Sequence, residues 1–102
     1  MVQRFALGVL GLLFTTALAS AQTLTVPATI NVGDDINIEY QDASQAGQTI
    51  IVRIAVATPE LVETEVIIHL DQNGRGSVGW TVPEGWGVTF NAPGCRQVSR
   101  AL

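Results

Sequence analysis

His69 is the one histidine of this chain and Cys95 its one cysteine, so the residues able to do chemistry are few. General acid–base work needs a second group within hydrogen-bond reach of the first. No Ser/His/Asp or Cys/His spacing accompanies His69, which reads as an exposed strand histidine. The carboxylates of Asp34, Asp35, Glu39, Asp42 and Asp71 offer oxygens for a calcium ion, which takes about six to eight of them. Asp71-Gln72-Asn73-Gly74 begins like a calcium loop, but the acidic positions that should follow, and the distant bidentate Glu, are missing. Asp and Asn otherwise serve turns by bonding nearby backbone, and that is the use predicted here. No metal ligand and no cofactor site follows from the sequence.

The aromatic residues carry the remaining candidates. Trp80 sits in an alternating strand pattern and reads as core, where a large inward ring dominates the burial of a small domain. Trp86 stands between Gly85 and Gly87 in a turn-rich stretch, with Phe90 a little further on. An exposed Trp can stack on a sugar or anchor a protein partner, so Trp86 and Phe90 are the candidate contact residues for a protein or a glycan. The plain alternative for Trp86 is that it caps the end of the core. Cys95 has no partner within the chain, so it is either a free thiol or one half of an intermolecular disulfide. The G-x-S-x-G, H-E-x-x-H, P-loop and dinucleotide patterns are all absent, and so is an N-x-S/T sequon.

Those residues are placed by strands. In Thr64–Val82, Val66, Ile68 and Leu70 alternate with Glu65, Ile67 and His69; after a turn, Val78, Trp80 and Val82 alternate with Gly79 and Thr81. A period of two marks a half-buried strand. The segment predicts a hairpin closed by a three-residue loop, Gln72-Asn73-Gly74, with Gly74 left-handed, a common bulged form. In that register Ile68 faces Val78 and Val66 faces Trp80, on one shared face.

Elsewhere Leu24 and Val26 suggest a first strand ended by Pro27. Gly33-Asp34 is a turn, and Ile36, Ile38 and Tyr40 mark a second strand. Asp42–Gly47 is a loop. Thr49–Ala57 is rich in β-branched residues and reads as a strand, central or partly covered because Ile51 adds to its outer face. Thr58-Pro59-Glu60 breaks it. Val88 and Phe90, two apart, form one inward face of a sixth strand, and Arg96–Leu102 marks a last one on which Val98, Arg100 and Leu102 share a side. The sum is seven short strands with regular turn signals and no helical period outside the N-terminal segment.

Residues 1–21 have the form of a secretory signal peptide: Arg4, then an apolar run from Phe5 to Leu18, then Ala19-Ser20-Ala21 as cleavage site. The run is short of the ~20 residues a membrane span needs. Residues 22–102 are then one small exported domain, secreted, periplasmic or at the cell surface, without stable membrane insertion after cleavage. The 102-residue chain has nine Asp and Glu against five Arg and no Lys, a net charge of −4. The acidic balance sets nucleic-acid binding aside.

Val26-Pro27 and Val32-Gly33-Asp34 with Ile36, Ile38 and Tyr40 resemble the opening strands of bacterial immunoglobulin-like modules of secreted and surface proteins. Asp71–Ser77 followed by Trp80-Thr81-Val82-Pro83 resembles their D–E hairpin. The resemblance implies an all-β, antiparallel, seven-stranded immunoglobulin-like sandwich with strands lettered A to G, in which D and E join A and B in one sheet while C, F and G form the other. The cysteine pair that bridges the sheets of the antibody-type subgroup is missing. A fold likeness does not bring a function with it. The expectation is a non-enzymatic exported module with a structural or binding role; the alternatives are a carbohydrate-binding module and a small secreted enzyme or inhibitor.

Overall fold

The computed structural model describes residues 22–102; the expected signal peptide lies outside the described residues. Among these residues, seven strands follow one another: β1 (Thr23–Thr25), β2 (Asp35–Gln41), β3 (Thr49–Ala57), β4 (Leu61–His69), β5 (Arg75–Thr81), β6 (Gly87–Asn91) and β7 (Val98–Ala101), with a turn of 3-10 helix at Ala43–Gln45. They form two antiparallel sheets, β1-β2-β5 and β4-β3-β6-β7. Alternation decides which side chains go inward. Ile36, Ile38 and Tyr40 of β2 and Ile50, Val52, Ile54 and Val56 of β3 are buried, while the residues between them are wholly or partly exposed. At about 25 cal/mol per Å² of apolar surface removed from water, this shared core is the main stabilising term of the domain.

The core is centred on Phe90, which is 0% exposed, rather than on Trp80. Trp80 is partly buried and packs against the core from the facing sheet. Tyr40 is buried along its ring and donates its hydroxyl to the Pro93 carbonyl at 2.9 Å, which ties β2 to the β6–β7 connection. The last strand, irregular in sequence, pairs with β6 from Gly87↔Ala101 to Phe90↔Val98. Arg100 secures it: Nε donates to the Pro27 carbonyl at 2.8 Å and Nη2 to the Val26 carbonyl at 3.3 Å.

The expected β4–β5 hairpin is corrected in one respect. Its turn is present, with Gly74 at φ 79° and its N–H donating to the Asp71 carbonyl at 3.0 Å. The Asp71 N–H donates in turn to the Arg75 carbonyl at 2.8 Å. Beyond that bond the strands part into different sheets. β4 pairs with β3 from Thr49↔His69 to Ala57↔Leu61, and β5 pairs with β2 from Asp35↔Thr81 to Gln41↔Arg75. Ile68 therefore lies beside Ile50 instead of Val78, and Val66 beside Val52 instead of Trp80. The fourth strand belongs with the third, sixth and seventh, not with the first and second.

Two local features explain the parting. Thr58-Pro59-Glu60 is a tight turn, not only a break: the Thr58 N–H donates to the Glu60 carbonyl at 3.2 Å. It folds nine residues of β4 onto β3 with Ile51 opposite Ile67 and Arg53 opposite Glu65, matched cross-strand pairs of the kind that stabilise a sheet. At the other end, a Cβ on Gly76 would meet Ile68 Cγ2 at 2.7 Å and also the His69 carbonyl. Glycine there lets β5 cross closely past the end of β4 and enter the other sheet.

Candidate functional site

Four of the carboxylates named from the sequence lie at the ends of the sandwich and are engaged in local structure, while Glu39 is exposed in the middle of β2, opposite Ser77. Asp34 and Asp35 lie at the start of β2, and Asp42 just beyond its end. Asp34 Oδ2 accepts from the Asn31 N–H at 2.9 Å, and Asp35 Oδ1 from the Thr81 hydroxyl at 2.5 Å. Asp42 is almost wholly buried, where Oδ1 accepts from the Ser44 N–H at 3.0 Å and the Ser44 hydroxyl at 2.6 Å. Asp71 Oδ1 accepts from the N–H groups of Asn73 at 2.8 Å and Arg75 at 3.0 Å. Those bonds, Arg75 first, hold the Asp71 carboxyl below its ordinary pKa of 3.8. Among the described residues, no three His, Cys, Asp or Glu side chains converge so as to hold a metal ion.

His69 is exposed on the outer face of β4, with Nδ1 3.2 Å from the Thr49 hydroxyl of β3. Cys95 is half-buried, unpaired, and packed against the core. Burial, with a smaller contribution from the Asp42 carboxylate, raises its thiol above the ordinary 9.0. A raised thiol holds less thiolate at neutral pH, and thiolate is the form that exchanges disulfides.

The two aromatic candidates separate. Phe90 is inside, so it is removed from the contact residues: it lies on the inward face of β6, between Ile54 of β3 and Val98 of β7. Trp86 is 60% exposed and does not cap the core. Its backbone is held while its ring is free, since its N–H donates to the Ala57 carbonyl at 3.0 Å and its own carbonyl accepts from Leu102 at 3.1 Å. Gly85 fits tightly there, because a Cβ would come within 2.8 Å of Val56 Cγ1 and 2.9 Å of the Ala57 carbonyl. The chain therefore hugs the end of β3 and the next side chain is turned outward.

Trp86 has neighbours in kind that sequence reasoning missed. Leu61 and Val62 open β4 at the same end of the sandwich, where Ala57 pairs with Leu61 on one side and Gly87 on the other. Both are more than half exposed, and Val32, in the β1–β2 loop, is exposed as well. One end of the molecule thus carries exposed Trp, Leu and Val side chains among the acids Asp34, Asp35, Glu60 and Glu84. The signal in sequence was Leu61-Val62, two large apolar residues directly after a proline turn. Among the described residues, no helix is long and apolar enough to cross a membrane.

No family model matches the chain. Two curated proteins share a segment with it. "Protein NDRG4" of Xenopus tropicalis is 35% identical over 48 residues, which is 47% of this chain and 12% of that protein. "Protein NDRG4-B" of Xenopus laevis is 38% identical over 48 residues, 47% of this chain and 13% of that protein. The shared segment is about an eighth of the length of either relative. A likeness of that extent carries no activity or partner to this chain.

Proposed function

We propose that this chain is an exported, non-enzymatic immunoglobulin-like module that binds a protein partner through the end of the sandwich where Trp86 stands. The observation that carries the reading is the 60% exposure of Trp86 on a backbone fixed at both its polar groups. A large apolar ring held in water on a rigid support is the usual form of a binding anchor. Lettered in chain order, the sheets are A-B-E and D-C-F-G, and immunoglobulin-like sandwiches share their architecture without always sharing strand order. Export rests on the form of residues 1–21.

A glycan reading uses the same indole. With Phe90 buried, Trp86 is left without the second platform that the sequence suggested, and its exposed companions are aliphatic; both points favour a protein. The enzyme alternative has less behind it, because Asp34, Asp42 and Asp71 are taken up by turns and Asp35 by the Thr81 hydroxyl.

The test is a photocrosslinking residue placed at Trp86 in the producing cell, with the exposed Ser99 as control position. The reading expects an adduct with a protein at position 86 that is absent at 99. A glycan adduct, or equal labelling at both positions, contradicts it. The exported material should also begin at Gln22 by mass spectrometry; retention of residues 1–21 would contradict export with cleavage.

A further inference from the structure

The nine residues of β4 form one edge of the four-stranded sheet. The Leu70 N–H donates to the Gln48 carbonyl and the Thr58 N–H to the Glu60 carbonyl, which sets the phase of the β3–β4 ladder. Antiparallel pairs alternate between bonded and non-bonded. The even residues of β4 therefore turn their backbone groups toward β3, and Leu61, Glu63, Glu65, Ile67 and His69 turn theirs to the open edge. A row of this kind is a template for another strand. The opposite edge of the sheet differs, because there Arg100 of β7 is bonded across to Pro27 and Val26.

The side chains along β4 are uneven in the same way. Val62 is on the core side of the strand and yet is 51% exposed, Thr64 is exposed, and Val66 is only partly buried. Trp80 and Val78, inward on β5, are also only partly buried. Covering is thin along the side where the two sheets part. On the outer side of β4 stand Glu63 and Glu65, which with Arg53 and Thr64 line a surface depression. Leu61 and Ile67 flank the two acids, both exposed.

We propose that β4 accepts an added antiparallel strand from a partner, an extended segment in which apolar residues alternate with Lys or Arg. Its backbone bonds to the odd residues of β4 in the mode of β-augmentation. Its apolar side chains lie beside Val62, Thr64 and Val66 and extend the core. Its basic side chains lie opposite Glu63 and Glu65. A second copy of this chain is the poorer occupant. Pairing β4 with itself over its full length, about Glu65, sets Glu65 against Glu65, and pairing about Thr64 sets Glu63 against Glu65; like charges directly opposite destabilise a sheet. Pairing about Val66 avoids this but puts no Lys or Arg opposite Glu63 or Glu65 and drops Leu61 and Val62 from the ladder. This edge shares Leu61 and Val62 with the Trp86 surface but does not depend on the Trp86 ring.

The probe is a synthetic nine-residue peptide of Val alternating with Lys, compared with a scrambled peptide of the same composition. Binding is read by amide hydrogen exchange on the domain of residues 22–102. The expected result is slowed exchange at Glu63, Glu65 and Ile67, with the even amides unchanged and no effect of the scrambled peptide. Reversing both charges, Glu63→Lys with Glu65→Lys, should weaken binding about tenfold, and a peptide of Val alternating with Glu should recover it. Glu63→Pro removes an edge N–H and no bond of the β3–β4 ladder, and should abolish binding in a folded protein, while Trp86→Ala should leave it unchanged. No protection at millimolar peptide, equal protection by the scrambled peptide, or protection of the same amides by concentration alone, as a dimer would give, overturns the proposal.

Discussion

Trp80 of β5 meets Phe90 of β6 edge to face, with ring centroids 5.7 Å apart and planes at 84°. The two rings come from opposite sheets and join the layers. Offset and T-shaped aromatic pairs add about 0.5–1.5 kcal/mol to their burial. Phe90 is the fully buried member and Trp80 the partly buried one. Phe90→Ala should therefore cost about 3–5 kcal/mol, near the upper end for a core truncation, and Trp80→Ala less than Phe90→Ala. Urea unfolding of both variants checks the order. Against a total stability of about 5–10 kcal/mol for a domain of this size, that is roughly a third or more of the whole.

Gly74 holds the turn between the sheets at φ 79°, in the left-handed region. A Cβ there would also strike the Asp42 carbonyl, which lies against it because the Asp42 N–H donates to the Gly74 carbonyl at 2.8 Å. Strain and clash act together, so Gly74→Ala should destabilise by more than about 1 kcal/mol. Gly47 is left-handed as well, at φ 78°, but has open space where its Cβ would be. Gly47→Ala should therefore cost less, and thermal melts of the pair measure the difference.

Asp71 makes the same turn acid-sensitive. Its folded pKa is lowered, chiefly by the Arg75 and Asn73 N–H bonds. The unfolded chain then binds the proton more tightly than the folded one, and the carboxylate's contribution is present above the ordinary value of 3.8. It is lost as pH falls through the folded pKa. Carboxyl carbon shifts should show Asp71 titrating below 3.8, and Asp71→Asn should flatten the loss of stability in that range. A midpoint at or above 3.8 would contradict the bonding pattern.

Tyr40 and Cys95 give the opposite limb. Both are raised, first by burial; Cys95 and Asp42 add to the shift of Tyr40, and Asp42 to that of Cys95. Here the folded state holds the proton more tightly. Stability is complete below the ordinary values of 9.0 for the thiol and 10.0 for the phenol, and is lost as pH rises through the folded ones. Tyr40→Phe should lower stability at neutral pH by about 1 kcal/mol through loss of the bond to Pro93 and should reduce the alkaline loss. Reaction of Cys95 with a thiol reagent should be slower than that of free cysteine at neutral pH.

The faces of the strands were legible in the sequence because alternation is a local property. Ile36, Ile38, Tyr40, Ile50, Val52, Ile54, Val56, Ile68 and Val88 all point where their spacing says. Sheet partners were less legible. Alternation says that Val66 and Trp80 look into one core but not whether they do so side by side or from opposite layers. Chain order favoured the hairpin, and the competing information was non-local: Arg53 with Glu65 at 3.4 Å and Ile51 with Ile67 across a tight Thr58–Glu60 turn. The exposed Arg53–Glu65 pair contributes about 0–1 kcal/mol, so it marks the register more than it holds it. For the candidate site, residue type identified Trp86. Its exposure depended on how closely Gly85 packs on Val56 and Ala57, which no pattern records. The spacing of Val88 and Phe90 put Phe90 inward, as found; its place among the contact residues fails, because inward and contact residues share the same aromatic chemistry.

The placement of β4 against β3 is the claim on which the core, the open edge and the end bearing Trp86 all depend. It is tested most directly by cross-strand nuclear Overhauser effects between Hα protons, which are close in the non-bonded pairs of an antiparallel ladder. The account predicts effects between Arg53 and Glu65 and between Ile51 and Ile67, with β5 giving its own to β2. Backbone effects between Ile68 and Val78, or between Val66 and Trp80, would place β4 beside β5 and contradict it.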